Sequence, residues 1–525
     1  MNFDEFLHWV TLADMLSLDR LFAPNSLLPV SPLYPGLELV TDCLIRLTNL
    51  NLFVAAILTV GVVRLVEPLL LFLLYERLAG SSRLASIATL LFFGDSAFFF
   101  FHAQYAYESL AFNLFCGSIL LFSISASLGH RSAGILLALL LTIVATSITH
   151  HLTSYFLAIF ICSFFFAEFF EAGYDKRRLN AFLVAAAAAI FPLLWAALIQ
   201  APTSGYLGPV ISGGIRDFTS MLTGRTHSEG FFKELPGIST PGYLRALAAA
   251  STVIIGVGLS TGFFRSVALS TNTSVSKWLS AAMRRRFSRP VNSSVLLTLS
   301  LSTLIYPLSV ALRLTSSGWE LGSRMGPFTF VAVALVLAIA IIYYWEGLSS
   351  WTKNFLVPGA VVTLILGGAV AGWGAKAVRS PYRVSADALS VEPAGIAAAE
   401  WAAEWLGPGN RFASDRVNRV LLATYGQQDI VTSLEDNLQV SSVFFNPWSA
   451  REYNLLRNLK VGFLLVDRRL SQALPVMGAY YEGGAAEPIG APKASLMLKY
   501  DNIPGVSRIY DNGYIVIYDV RDVRI

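Results

Sequence analysis

The chain has 525 residues, of which 55% are hydrophobic and only 14% are charged, and its formal net charge is +4. Soluble proteins carry about 25% charged residues, so this composition excludes an ordinary soluble protein and indicates one that crosses a membrane many times. The small net charge gives no support for nucleic-acid binding. The three cysteines, Cys43, Cys116 and Cys162, show neither a disulfide framework nor zinc-type spacing.

The first residues combine two carboxylates with a histidine. In a helix, Asp4 and Glu5 would share a face with His8 because they lie one turn before it. Such a cluster can remove a proton from a hydroxyl, or hold a divalent cation such as Mg²⁺ or Mn²⁺. A structural alternative stays open, because an acidic first turn also suits a helix N-terminus.

The N-terminal segment 1–50 is too polar to span a bilayer. Residues 4–22 mix apolar and acidic positions in a helical rhythm, which predicts an amphipathic helix lying at the membrane interface. A proline-rich turn at 24–36 follows, and a second semi-polar helix is expected at 37–49. No signal peptide precedes the acidic cluster.

Residues 51–376 are predicted to form a bundle of about ten membrane-spanning helices, since each span needs about 20 mostly apolar residues. The predicted spans are 52–75, 84–101, 107–128, 133–149, 152–171, 180–200, 244–264, 294–313, 326–344 and 355–375. The first of them carries Arg64 and Glu67, which we expect to form an ion pair inside the bundle.

Basic residues predict the orientation of the bundle. The loop with Arg284, Arg285, Arg286 and Arg289 is the strongest cytoplasmic marker. This assignment places the N-terminus, the loop 201–243 and the C-terminal region outside. Because the polar N-terminus has no preceding span to carry it across, we expect an upstream span that this sequence lacks.

The outer loop 201–243 is rich in glycine, serine and threonine, and a loop of this length is either functional or disordered. Its arginines Arg216 and Arg225 are candidate phosphate ligands.

Residues 377–525 are predicted to form a small extracytoplasmic α/β domain. A helix is expected at 392–406, strands at 411–414 and 461–466, and a hairpin at 507–519. Asp415, Arg416 and Arg419 are expected to be surface or helix-capping residues.

Several polar residues fall at the outer ends of the spans. The doublet His150–His151 and Glu108 are either part of an outer cavity or members of an interfacial belt of polar and aromatic side chains. For His102 we favour the belt. Arg324 either binds a phosphate through its planar guanidinium or pairs with Glu320 on the same helix.

An acidic N-terminal motif, amphipathic helices, many spans and a C-terminal outer domain together resemble the GT-C glycosyltransferases. The stretches 4–9 and 25–38 resemble the first outer loop of bacterial members of this family. The resemblance implies a polyprenyl-phosphate-linked sugar as donor, Asp4 as general base, and Glu5 and His8 as its orienting or metal-holding partners. It further implies that Arg324 contacts phosphate, supported by His150, His151 and Glu108.

Three functions are therefore considered for a multi-pass protein of the bacterial plasma membrane. The first is transfer of a sugar to a cell-envelope glycan, lipid or protein on the outer face. The second is a polymerase or ligase of lipid-linked polysaccharide. The third is a non-enzymatic membrane transporter or accessory subunit. Membrane lipids are expected partners in each case, and nucleic acid in none.

Overall fold

A computed structural model of the protein describes residues 3–128, 131–172, 179–200, 203–224, 241–270, 293–315, 318–371, 392–436, 438, 440–472, 481 and 493–524. The chain divides into two compact units. The sheet unit comprises Met1–Leu52, Leu235–Ser239 and Lys376–Ile525, and the membrane unit comprises Phe53–Glu234 and Thr240–Ala375.

The described residues of the membrane unit form helices and the short turns between them, with no strand. Its helices are α3 (Leu52–Ala79), α4 (Ser82–Phe92), α5 (Ser96–Phe99), α6 (Tyr107–Ser127), α7 (Ala133–Thr149), α8 (His151–Ala172), α9 (Leu179–Leu198), α10 (Thr203–Leu222), α11 (Gly242–Ser270), α12 (Ser293–Ser302), α13 (Ile305–Leu312), α14 (Gly318–Tyr344) and α15 (Val357–Ala371).

Most of these helices are long and apolar enough to cross a bilayer. Within the described residues, eight candidate spans are present, and the pair 82–92 and 96–103, bent by 70°, brings the number to nine. The shorter apolar helix α7 corresponds to the remaining predicted span. The predicted mainly helical, polytopic fold is thereby confirmed.

Helix α14 forms the centre of the membrane unit. Its residues from Phe328 to Ala340 are all buried, and a helix that is apolar on every side is stable only when it is surrounded. The other spans bury one side and expose the other; on α3, for example, Leu65 is 71% exposed. Exposed leucine on a long helix is expected where lipid takes the place of water.

The expected loop at 201–243 is helical over its first half, as α10. Apolar side chains at Leu207, Ile211, Ile215 and Phe218 recur at helical spacing. Gly214 serves helix packing, since a Cβ added there would lie 3.3 Å from the Cα of Gly318. The glycine content was therefore a misleading signal for a loop.

The sheet unit contains a five-stranded sheet in the order β2-β1-β3-β5-β4. Its strands are β1 (Arg411–Ala413), β2 (Asp429–Ile430), β3 (Phe463–Asp467), β4 (Ser507–Asp511) and β5 (Ile515–Asp519). Strand β1 is parallel to both β2 and β3, whereas β5 is antiparallel to β3 and β4. The predicted strands and hairpin are confirmed.

Helices and loops cover both faces of this sheet. The helices of the unit are α1 (Phe3–Leu18), α2 (Gly36–Thr48), α16 (Pro393–Leu406), α17 (Asn418–Thr424), α18 (Ser433–Asp436), α19 (Ser441–Phe445), α20 (Ala450–Asn458) and α21 (Ala494–Met497). Alternate residues of β3 point to opposite faces: Phe463 and Leu465 join one core, and Leu464 and Val466 join the other.

Helix α1 belongs to the core of the sheet unit. Phe6, Leu7 and Val10 pack in the cluster that contains α16, α17 and one face of the sheet. The ring of Trp9 lies 6.1 Å from that of Tyr425. The apolar stripe of α1, which predicted an interfacial helix, is thus buried against protein. The apolar face of the sheet must pack against another element, and α1 is part of that layer.

Candidate functional site

A cluster of polar side chains lies where several spans of the membrane unit begin or end. Glu108 is in the first turn of α6, His150 follows the last residue of α7, and Arg324 lies near the start of α14. The Oε1 of Glu108 is 3.3 Å from Nη1 of Arg324 and 3.5 Å from Nε2 of His150. The fold therefore brings together three residues that the sequence predicted as phosphate or substrate ligands.

Arg324 has two carboxylate partners. Besides Glu108, it contacts Glu320 on its own helix, with 2.9 Å between Nη2 and Oε1. The side chain of Arg324 is 25% exposed, and that of Glu108 is 26% exposed. Both interpretations of Arg324 are compatible with this geometry, because the helix pair with Glu320 leaves further N–H donors of the guanidinium available to reach Glu108.

The histidine doublet is buried beside this cluster. His150 and His151 are each 1% exposed. The ring of Tyr107 stacks on His150 at 4.5 Å and meets His151 edge-on at 6.3 Å. The Nδ1 of His150 is 2.7 Å from the hydroxyl of Thr153. This hydrogen bond fixes the ring so that Nε2 faces Glu108.

The arrangement can hold an oxyanion and move a proton. A guanidinium binds phosphate oxygens through parallel N–H donors, and an imidazole beside a carboxylate can donate or accept a proton. We call Glu108, His150, His151 and Arg324, with Tyr107, the rim cluster.

A second polar network in the membrane unit is centred on the buried carboxylate of Glu67. Glu67 accepts hydrogen bonds from Arg64 (3.0 Å), as predicted, and its other oxygen lies 2.7 Å from Nδ1 of His102. His102 is 2% exposed and its ring lies 4.3 Å from that of Phe112, so the interfacial belt favoured for it is wrong. The bent helix pair folds this turn inward, where a polar ring needs a partner.

Sequence reasoning missed two members of this region, Asp95 and Arg313. Asp95 lies at the bend between α4 and α5 and accepts a hydrogen bond from the N–H of Ala97. A Cβ placed on Gly326 would lie 2.9 Å from Nη2 of Arg313 and 3.7 Å from Oδ1 of Asp95. The signal was available, because a carboxylate within an apolar run is a default candidate for function.

The predicted acidic cluster at the N-terminus lies in the sheet unit. Asp4 and Glu5 are half-buried in the first turn of α1. His8 is 2% exposed, and its Nδ1 lies 2.7 Å from Oε1 of Glu38 and 3.2 Å from the hydroxyl of Ser31. His8 therefore has a carboxylate partner from α2, and the catalytic roles of Asp4, Glu5 and His8 stay predictions.

The remaining predicted ligands are two arginines and a metal ion. Arg216 lies exposed on α10, which packs against α14, and Arg225 lies outside the described residues. Within the part of the chain that the structure describes, no group of three or more His, Cys, Asp or Glu side chains is placed to hold a metal ion. Asp4, Glu5 and His8 are not placed as such a group, and the metal-binding role predicted for them stays a prediction.

No family model and no curated protein matches the sequence. Among solved structures, the chain is similar to the oligosaccharyltransferase of Archaeoglobus fulgidus crystallised with a tethered acceptor peptide containing an NVT sequon. The TM-score is 0.55 at 12% identity, covering 98% of this chain and 70% of that one.

Two further solved structures are similar at lower scores. Mycobacterial arabinofuranosyltransferase AftD gives a TM-score of 0.49 at 12% identity, covering 99% of this chain and 39% of that one. ArnT from Cupriavidus metallidurans, bound to undecaprenyl phosphate, gives 0.40 at 12% identity, covering 98% and 93%.

The protein is an integral membrane protein with the fold of the GT-C glycosyltransferases, as its sequence predicted. It shares that fold with the archaeal oligosaccharyltransferase over 98% of the chain.

Proposed function

We propose that the protein transfers a sugar from a polyprenyl-phosphate donor to a glycan, lipid or protein acceptor on the outer face of a bacterial plasma membrane. The observation that carries this proposal is the rim cluster, in which Glu108 lies between Arg324 and His150 at the ends of the spans. The distribution of basic residues along the sequence supports an outer location for that end of the bundle and for the sheet unit.

The reaction exchanges one C–O bond for another. The acceptor hydroxyl attacks the anomeric carbon, and the bond between that carbon and the phosphate oxygen breaks with its electron pair leaving on polyprenyl phosphate. The hydroxyl proton passes to a carboxylate, for which Asp4 is our candidate, with Glu5 and His8 orienting it. The negative charge that develops on the leaving phosphate requires fixed cationic donors.

Arg324 is the proposed donor to that phosphate. It sits at the rim, where a lipid-borne phosphate lies, and its guanidinium offers two parallel N–H groups. Glu108 acts as a positioning residue that aims Arg324, and His150 and His151 complete the polar wall. Arg216 and Arg225 are proposed as further contacts to the donor.

The oligosaccharyltransferase of A. fulgidus was crystallised with an acceptor peptide. The acceptors to be tested therefore include a polypeptide as well as glycans and lipids. The fold that this chain shares with the archaeal transferase also favours sugar transfer over transport of a lipid-linked sugar.

The decisive experiment follows polyprenyl phosphate release. The purified protein in detergent is incubated with radiolabelled polyprenyl-phosphate sugars and acceptor candidates, and both products are counted. Arg324→Gln should lower turnover about 100-fold, the loss typical when a donor to a developing charge is removed. Arg324→Lys should recover only part, because lysine lacks the planar fork.

The matched control is Arg83→Gln. Arg83 is exposed at the start of α4, at the opposite end of the bundle from the rim cluster, and its guanidinium lies over the ring of Trp345. This variant should keep wild-type turnover. Lipid-linked sugar crossing vesicles with no release of polyprenyl phosphate would show a transporter and refute the proposal.

A further inference from the structure

We propose that the outward face of α2 in the sheet unit is a membrane-docking surface, which lies along the bilayer and inserts its apolar side chains below the lipid headgroups. The partner is therefore a lipid surface. The sequence had assigned an interfacial position to residues 4–22 instead, most of which belong to the buried helix α1. The inference does not rest on the proposed sugar transfer.

Helix α2 buries polar residues and exposes apolar ones. Glu38 and Thr41 are buried in the sheet unit. Val40, Cys43 and Leu47 are exposed, and Leu47 is 86% exposed. Residues spaced three and four apart share one face of a helix, so these three form an apolar stripe. A surface helix of a soluble domain shows the reverse arrangement, with its apolar side turned inward. The outward face of α2 is therefore poorly suited to water.

A second exposed apolar segment lies beside α2. The end of α1 and the turn after it expose Leu18, Leu21 and Phe22. Asp19, within this segment, pairs with Arg46 of α2, with 2.8 Å between Oδ1 and Nη2. The ion pair brings the two apolar segments next to each other. Exposed apolar side chains that cluster in this way mark an interaction surface rather than an ordinary water-covered one.

The course of the chain identifies the bilayer as the partner. Helix α3, a candidate membrane span, begins at Leu52, only three residues after the end of α2. Its side chains are exposed from the first two turns onwards, as at Phe53 and Ile57, where lipid is expected to cover them. Three residues reach at most about 11 Å, so the end of α2 stays close to the bilayer that α3 enters.

The helix must lie flat for its whole stripe to meet lipid. Asn49 ends α2 in the left-handed conformation, with φ 56° and its N–H bonded to the carbonyl of Ile45 at 2.7 Å. Such a C-cap terminates a helix and allows the chain to change direction before α3. If α2 stood upright on the bilayer, Val40 would lie about 10 Å further from the lipid than Leu47, at 1.5 Å per residue. The upper half of the stripe would then face water.

The test measures the depth of nitroxide labels by electron paramagnetic resonance in the full protein, reconstituted into phosphatidylcholine vesicles. Cys43 is exposed and takes the label directly in a Cys162→Ala background, since Cys116 is buried. Val40→Cys and Leu47→Cys are labelled in the same background with Cys43→Ser. Depth is obtained from the accessibility of each label to oxygen, which concentrates in lipid, and to a water-soluble nickel chelate.

All three labels should lie about 5–10 Å below the lipid headgroups, accessible to oxygen and protected from the chelate. The control is Arg451→Cys, also with Cys43→Ser, at an exposed position on α20. Its label should show the opposite preference. Leu47→Asp should shift the label on Cys43 towards water, because a carboxylate is unfavourable among acyl chains. Since Leu47 is exposed, this substitution removes no core contact.

Three results would overturn the proposal. A depth that falls by about 10 Å from the label at Leu47→Cys to that at Val40→Cys would show an upright helix. Chelate access equal to that of the control would show a face in water. Protection from both oxygen and the chelate would show that protein covers the face, and dipolar broadening between labels would then identify a second copy of the chain.

Discussion

At the scale of single residues, the charged side chains inside the membrane unit are stabilised by polar or oppositely charged partners. Glu67 has Arg64 and His102, and Glu108 has Arg324 and His150. An isolated charge in an apolar environment costs several kcal/mol, which partners largely offset. The carboxylate of Glu67 is fully buried, whereas that of Glu108 is 26% exposed, so Glu108 and Arg324 can exchange a partner for a ligand.

The general-base assignment is tested at Asp4. Asp4→Asn keeps the shape of the side chain and a polar group in the first turn of α1, but it removes the basic oxygen. We expect transfer to fall by about 10²- to 10⁴-fold with little change in donor affinity, measured as turnover and as binding of the polyprenyl-phosphate sugar.

Asp19→Asn is the control for Asp4. Asp19 is exposed beyond the end of α1 and pairs with Arg46, so its substitution should leave turnover unchanged. Equal turnover in Asp4→Asn and in the wild-type protein would remove Asp4 from the reaction.

A second residue-scale prediction concerns pH and Asp415. Burial, together with the nearby charge of Asp467, raises the pKa of Asp415 from 3.8 to about 6. The folded state therefore holds this proton more firmly than the unfolded chain does. The contribution of Asp415 to stability is full below about pH 4 and is lost as the pH rises to about 6.

Asp415→Asn should flatten this dependence. We expect the change in unfolding free energy between pH 4 and pH 6 to shrink by about 2–3 kcal/mol, measured by chemical unfolding of the full protein. Asp522→Asn, an exposed substitution in the same unit, should keep the wild-type pH profile. An unchanged slope in Asp415→Asn would show that other groups cause it.

At the scale of elements, close helix packing depends on particular glycines. Helix α11 approaches α14 at Gly262, where an added Cβ would lie 2.5 Å from the carbonyl oxygen of Val336. Since backbone cannot yield as a flexible side chain can, Gly262→Ala must push the two helices apart. Gly256 lies on the same helix with nothing within 4 Å of such a Cβ.

These two glycines form a matched pair. Gly262→Ala should destabilise the protein by about 1–3 kcal/mol through overpacking. Gly256→Ala should be neutral or slightly stabilising because alanine favours the helix. Thermal unfolding in detergent, followed by tryptophan fluorescence, measures both. Equal melting temperatures for the two variants would contradict the helix contact.

At the scale of the whole molecule, the fold persists with 12% identity to the archaeal oligosaccharyltransferase. Such persistence is physically reasonable, because a bilayer requires each backbone polar group to be paired within its own helix, whatever the side chains. The need to pair backbone groups does not restrict the polar side chains that are proposed to carry out the reaction. For this reason the fold is established here, while the donor, the acceptor and the catalytic residues are proposals.

The amino-acid sequence by itself determined the spans, the basic loops and the strands of the sheet unit, because hydropathy and periodicity are local properties of the chain. Only the tertiary structure decided which polar groups meet. Glu108 and Arg324 are 216 positions apart, and the sequence gives no indication that His8 pairs with Glu38. The tertiary structure also showed that Asp95 lies at a bend and that Arg419 is buried. Burial and pairing depend on how distant segments of the chain pack, and no local sequence pattern contains that information.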